Sequence, residues 1–256
     1  MIVLLVTALL IALIFEFSYA TRISLNNAIN FRDSQRAYFL ARAGIYAFVN
    51  YGDKLRDNYI PQGEWGIVPL ISDGDTQVMI KWEDETGKIK IADVKYDKVT
   101  QFMVQTLFEN KGIDLDVYRK MIDQASEINN LSLLSGLHQY MNDEDFNKVV
   151  NSLTVSQVPS HTINVNTAPV DVLKSLGISE GAVGLIVQER HKSPFKDKAA
   201  IPGIGDLKIN DVNVSNYLTV SQSNDYTVYA YATVGGYTKQ IEAIVKGNAF
   251  SYWRSL

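Results

Sequence analysis

The opening stretch, MIVLLVTALLIALIF, carries no charge and a single hydroxyl, Thr7, and the first ionisable side chain is Glu16. Such a segment wants hydrocarbon around it. As an α-helix, residues 1–20 span about 30 Å, roughly the thickness of a bilayer core. Met1, Leu5, Leu9 and Leu13 mark its course. A cleaved secretory signal would place a basic region first and a small-x-small site last. Ser18-Tyr19-Ala20 could supply the site, but no Lys or Arg precedes Arg22. The chain opens directly on the apolar run, as expected if a charged leader had been cut away in front of Met1. The core helix of a soluble protein is the other alternative, because apolar runs of about 10–14 residues often turn out that way. The residues beyond the apolar run argue against both. No Gly or Pro occurs before Gly44, and Phe31, Ser34, Tyr38, Ala41, Ile45 and Phe48 recur in steps of three and four, so the apolar head runs on into an amphipathic helix.

Continuous to about Tyr51, this helix would be some 75 Å long, more than a small domain needs. Its first third belongs in lipid and its last third on a globular domain. Arg22, Ser24, Asn26, Asn27, Asn30 and Arg32 make the middle polar, suiting a membrane surface or a groove between subunits. An uncleaved apolar helix that continues into a domain-packing helix resembles the type IV pilin and pseudopilin family.

With 256 residues the chain can bury a sizeable core. A net charge of −4 gives no field that would attract nucleic acid, and the absence of cysteine excludes disulfides, thiolate metal sites and a cysteine nucleophile. Residues 52–61 hold breakers and mixed charge and predict the exit from the helix. Residues 77–82 and 88–92 then read as two strands joined by Glu83-Asp84-Glu85-Thr86-Gly87, a β-hairpin. The acids of that turn, like Asp73-Gly74-Asp75, are expected to be solvated, since adjacent turn residues rarely converge on one ion. From residue 94 to 158 apolar residues recur at helical spacing: Val99, Phe102, Met103 and Leu107, then Val117, Met121, Ile122, Leu131, Leu134, Leu137 and Tyr140. Asp143-Glu144-Asp145 is the acidic opening of a helix. Strand patterns return at 217–220, 226–234 and 240–245, with Gly235-Gly236 as a hairpin turn. The expected fold is α+β: a pilin-like long N-terminal helix, residues 1–51, packed on an antiparallel sheet drawn from residues 52–94 and 213–256. A large α-helical domain, residues 95–212, is inserted into that sheet.

Inside the insertion lies His161-Thr162-Ile163-Asn164-Val165-Asn166-Thr167-Ala168-Pro169. Thr167 is a good N-cap, Ala168 and Pro169 suit a first helical turn, and Gly177 closes a short helix through Val170, Val172, Leu173 and Leu176. Ser179 caps a second helix over residues 180–190 with Val183, Ile186 and Val187 inward, and Ile201-Pro202-Gly203-Ile204-Gly205 makes another tight turn. This resembles a helix-hairpin-helix module, a class that elsewhere holds DNA backbones through hairpin amides and nearby cations. Residues 161–210 carry six Lys and Arg against five Asp and Glu, so the basic footprint is weak and a structural role is favoured.

The motif Ile163-Asn164-Val165-Asn166-Thr167-Ala168-Pro169, with Val172-Leu173, Arg190 and Pro194-Phe195 downstream, resembles the corresponding stretch of the K-type minor pseudopilin of type II secretion systems. Glu83-Asp84-Glu85-Thr86-Gly87-Lys88-Ile89 is similar to that family's acidic turn, and Arg36-Ala37-Tyr38, Ala41 and Gly44 to its early helix. The family's Asp-Trp-Ile-Asp segment is absent and Leu107 to Ile122 is diverged, which puts the calcium site that the resemblance would imply there in doubt; no cofactor is expected, and calcium, possible through the resemblance alone, has no ligand set assigned. Most pilins have Glu at mature position five, whereas Leu5 stands here and matches the K-type pattern. That resemblance implies a non-enzymatic subunit at the pseudopilus tip. Its partners would be the I- and J-type minor pseudopilins, other pseudopilins and the inner membrane, with the bulk of the chain in the periplasm and no nucleic acid. His138, His161 and His191 show no metalloprotease spacing, and no nucleophile elbow or phosphate loop occurs. The alternatives are a tip subunit of a type IV pilus and a membrane-tethered DNA receptor. Sequencing the amino end of the native polypeptide is expected to return the apolar head; a start at Thr21 would make the segment a removed signal.

Overall fold

The computed structural model describes residues 1–58, 65–124, 134–155, 162–205, 207–221, 224–247 and 249–255. A single helix, α1 (Ile2–Asn58), opens it, and its 57 residues correspond to about 85 Å. The helix runs on past Tyr51 through Gly52, which is buried, and ends at Asn58 within the expected exit of residues 52–61. Packing of one face outweighs the helical penalty of about 1 kcal/mol for that glycine. The first thirty-two residues are exposed along their whole length. Burial begins at Asp33 and continues through Ala37, Ala41, Ile45 and Phe48. Phe31, expected to start the inner stripe, is instead 68% exposed. Asp33 lies one turn before Ala37, so the inward face passes it and not Phe31.

That stripe rests on a five-stranded antiparallel sheet built from β1 (Trp65–Asp73), β2 (Thr76–Asp84), β9 (Asp225–Val234), β10 (Tyr237–Lys246) and β11 (Ala249–Ser255), in the order β1-β2-β9-β10-β11. Alternate residues Val78, Ile80, Trp82, Val228, Ala230, Ala232, Ile241, Ala243 and Val245 face α1 and form one core with Ala41, Ile45 and Phe48. Three alanines among them let the helix approach closely. Phe48 meets Trp82 and Tyr226 with ring centroids 5.5 and 5.7 Å away. At the foot of the sheet the Gly235-Gly236 turn has positive φ at both residues, +55° and +85°, as a tight two-residue hairpin requires. Gly235 also lies against Asp33, where a β-carbon would stand 2.6 Å from the carboxylate oxygen.

The first hairpin differs from the expected one. Thr76–Asp84 pairs backward with Trp65–Asp73 through the turn at Gly74, and forward with β9. The Glu83-to-Gly87 stretch is not its turn: Glu85–Gly87 is a short 3-10 helix, and β3 (Ile89–Lys90) pairs in parallel with β4 (Leu153–Thr154) inside the helical block. Alternation at Lys88, Ile89, Lys90 and Ile91 shows half-burial but does not name the partner strand.

Between β2 and β9 the described residues contribute nothing to the five-stranded sheet. It builds a second core around α2 (Lys98–Lys111), α3 (Leu115–Asp123), α4 (Asp143–Val149), α5 (Val170–Ser175) and α6 (Glu180–Lys192). The acidic opening at Asp143 holds, with Asn142 as N-cap accepting from the Asp145 amide. Leu131 falls outside the described residues. Three two-stranded pairings complete the block: β3 with β4, β5 (Ile163–Asn164) with β8 (Leu218–Thr219), and β6 (Lys208–Ile209) with β7 (Val212–Asn213). The strand expected at 217–220 is thus β8, paired in parallel to the block's own β5 and not to the sheet. Asp97 caps α2 through the Thr100 amide at 2.7 Å and also accepts from the Tyr217 hydroxyl at 2.7 Å.

Phe48→Ala would open a cavity where the helix crosses two strands and is expected to lower the unfolding free energy by about 3–5 kcal/mol, read as an earlier denaturant midpoint. Alkaline pH should unfold the protein by a separate route. The Tyr217 phenol is pushed up to about 12 by burial and by the hydrogen bond to Asp97. The unfolded chain therefore releases that proton first, and stability falls as pH rises from about 10 to about 12; in Tyr217→Phe this part of the fall is absent.

Candidate functional site

Two parts of the molecule carry the sequence-predicted residues. The first is the stem. Met1, Leu5, Leu9 and Leu13 are 106%, 68%, 57% and 52% exposed. Helix Ile2–Gly52 is long and apolar enough to cross a membrane, and its most apolar 18-residue stretch, of mean hydropathy 2.4, is 0% buried. A bare apolar surface of this length requires lipid or neighbouring helices.

The second is the junction where the helical block meets the sheet, and the two acidic and asparagine-rich motifs come together there. Glu83, Asp84 and Glu85 are 5%, 6% and 5% exposed. They are not a solvated turn, because the end of β2 and the 3-10 turn that follows carry them beneath the inserted block. Asp84 Oδ1 accepts from the Thr86 amide and hydroxyl at 2.9 and 2.7 Å. Its Oδ2 accepts from Asn164 Nδ2 at 2.9 Å and from the Thr167 hydroxyl at 2.7 Å. Thr167 is therefore not the N-cap of α5. Pro169 holds that position without a side-chain bond, and the threonine serves a carboxylate 83 residues earlier. Gly87 closes the contact, since a β-carbon there would stand 2.9 Å from the Thr167 carbonyl. No larger residue fits.

Beside Asp84 lies a buried ion triad. Lys88 Nζ donates to Glu83 Oε2 at 2.6 Å and to Glu85 Oε1 at 3.0 Å. Burial alone would lower the lysine pKa, but the Glu85 and Glu83 carboxylates outweigh it and hold it above its ordinary value. Glu85 also accepts from the Thr154 and Thr227 hydroxyls. An ammonium thus occupies the place an ion shared by the two glutamates would take. Among the described residues no group of three or more His, Asp or Glu side chains is placed to hold a metal. A half-enclosed cavity of about 230 Å³ opens from the triad along the outer face of the sheet, past Tyr229, Glu242 and Arg254. Burial, then Glu242 and Glu83, pushes the Tyr229 phenol far above its usual value.

The rest of the motif works inward. Asn166 Oδ1 accepts from the Phe195 amide at 2.7 Å, and its Nδ2 donates to the Phe195 and Val220 carbonyls. Ile163, Val165, Ala168 and Pro169 are buried. Arg190 is 4% exposed and donates from Nη1 to the Val165 and Ala168 carbonyls at 3.0 and 2.6 Å. Sequence reasoning missed this role. The signal was available, because Arg190 follows Val183 and Ile186 in steps of three and four and falls on their inner face. His191, next to it, is exposed. His138 Nδ1 lies 3.1 Å from Asp143 Oδ1 with its ring against Phe146, and His161 is outside the described residues.

Ser179 caps α6 as expected, accepting from the Ala182 amide, and Gly177 turns the chain between α5 and α6 at φ +74°. The cations flanking this hairpin are committed: Lys174 bridges Glu180 at 2.6 Å, and Lys111 bridges Asp171. A phosphate would have to displace both carboxylates.

A long N-terminal helix on an antiparallel sheet, followed by further helices, is a pilin-like α+β architecture. A chain of the solved GspK-GspI-GspJ complex from the type 2 secretion system of enterotoxigenic Escherichia coli shares it, at a TM-score of 0.68 and 13% sequence identity over 90% of this chain and 99% of that one. The protein therefore has the fold of a subunit of that complex. Neither a protein-family model nor a curated protein matches the sequence.

Lys88→Met should destabilise the protein by about 3–5 kcal/mol, because it leaves two buried carboxylates without their counter-ion. The accompanying change in pH dependence has a definite sign. The pKa of Lys88 is raised above 10.5 in the fold, so its contribution is complete below that value and fades as pH climbs past the folded pKa. Denaturation series from about pH 8 to 12 check both statements.

Proposed function

We propose that this protein is a K-type minor pseudopilin that starts and caps the pseudopilus of a type II secretion system, and so supports protein export. The observation that supports this best is the likeness in fold along nearly the whole length of a chain from such a system's GspK-GspI-GspJ complex. The stem would hold the chain in the inner membrane, single-pass, with the head in the periplasm, until assembly exchanges lipid for neighbouring helices around the same apolar surface. Leu5 supports a place at the tip. A charge at membrane depth costs about 2.5–3.5 kcal/mol on insertion scales and is kept only for a partner. A subunit with nothing ahead of it has no amine to neutralise. The helical block supports the same place, since so large an addition to the head would collide with neighbours in a repeating shaft. The I- and J-type subunits are the partners in this reading, the helix-hairpin-helix unit is a structural element of the block, and no catalytic group or cofactor takes part.

Capture of the full chain by a purified I–J pair tests the reading, and a stable ternary complex is the expected result. In cells, Leu5→Lys and, separately, removal of the block are each expected to reduce secretion by tenfold or more. Undiminished export in both strains overturns the tip role.

A further inference from the structure

On the α1 side of the sheet, the last strand makes a seam with the helix. Phe250 pairs with Val245 and Trp253 with Ala243, although the two aromatics are three residues apart. A register shift between Ile244 and Val245 reconciles the spacing. The bulge turns both rings to the α1 side, which a regular strand would not do. Tyr46 of α1 completes a surface cluster, with its ring 5.5 Å from Phe250 and 6.4 Å from Trp253. Tyr46 and Phe250 remain 39% and 37% exposed. Over this cluster stands Arg42, 5.7 Å from the Tyr46 and the Trp253 ring centres. It also donates a 3.4 Å hydrogen bond to the Tyr46 hydroxyl, and among the described residues it meets no carboxylate.

The two outer strands of the sheet differ. β1 carries Pro69 and a break in register at that point, features that discourage pairing with another chain. β11, AFSYWRS, has no proline, and its one charged side chain, Arg254, is turned to Glu242 on β10. Its outward backbone groups stand next to an exposed aromatic shelf and a guanidinium.

We propose that this seam docks an extended, carboxylate-bearing segment of the neighbouring pilin-like subunit, which adds a strand to β11. The inference rests on the assembly with I- and J-type subunits proposed above. Among the described residues no strand pairs with the outer edge of β11, and an extended segment is the occupant that satisfies it. Its apolar side chain lies on Tyr46, Phe250 and Trp253, and its carboxylate meets Arg42, which is already held in place by the rings. The seam runs along the exposed flank of α1 and so continues the surface the stem gives to the same assembly.

The test uses the full chain in detergent with the purified I–J pair. The protein has no cysteine, so Ala249→Cys at one end of β11 and Ser72→Cys on β1 each introduce the sole thiol of this chain. In the complex the thiol on β11 should react with a maleimide at least tenfold more slowly than in the free chain, and the thiol on β1 at an unchanged rate. Arg42→Glu should weaken capture at least tenfold at an unchanged melting temperature. If the complex forms and the thiol on β11 keeps its full reactivity, the seam is not the interface and the inference falls. Failure of the unmodified chain to bind the pair overturns instead the assembly on which the inference depends.

Discussion

One carboxylate joins the two halves of the head. Asp84 ends a strand of the sheet and accepts four hydrogen bonds, two from Thr86 beside it and two from Asn164 and Thr167, about eighty residues along the chain. A buried carboxylate is costly unless each oxygen is satisfied, and here the donors come from both sides of the junction. The inserted block is thereby held in one orientation by directional bonds. Apolar contact alone would leave it free to slide, because hydrophobic burial has no preferred angle. The ion triad of Glu83, Lys88 and Glu85 lies next to it and adds a second set of constraints, with Thr154 from the block and Thr227 from the sheet on the same glutamate.

This arrangement explains what could and could not be read from the sequence. The inward positions Ala41, Ile45 and Phe48 of α1, the Gly235-Gly236 hairpin and the α6 cap at Ser179 are written in the local sequence, and all are present in the fold. The partner of β2 was not legible. Residues 77–82 pair with an earlier strand, Trp65–Asp73, whose sequence WGIVPLISD holds Pro69 and no clean alternation. The acids at 83–85 look like a turn because three consecutive charges usually face water. Their burial is decided by Lys88 and by hydroxyls that arrive from residues 154, 167 and 227, and no local pattern announces those. Thr167 is deceptive for the same reason: as a cap it would satisfy one amide nearby, whereas in the fold it satisfies a carboxylate far away in sequence.

The motif whose residues were singled out has a consistent physical role. Asn164 and Thr167 reach outward to the sheet, while Asn166 and the carbonyls of Val165 and Ala168 bind inward to Phe195, Val220 and Arg190. It is a clamp with one side on each half of the head.

The stem has a mechanical consequence. From Ile2 to Ala43 the helix contains neither glycine nor proline, and it continues without interruption into the stripe that lies on the sheet. Kinks arise at such residues or at inserted bulges, so the rod has no such joint between its apolar end and the head. A pull along the stem reaches Ala37, Ala41, Ile45 and Phe48 at once, as a sliding load shared by the whole helix–sheet contact. Traction on the tail therefore moves the head as one rigid lever.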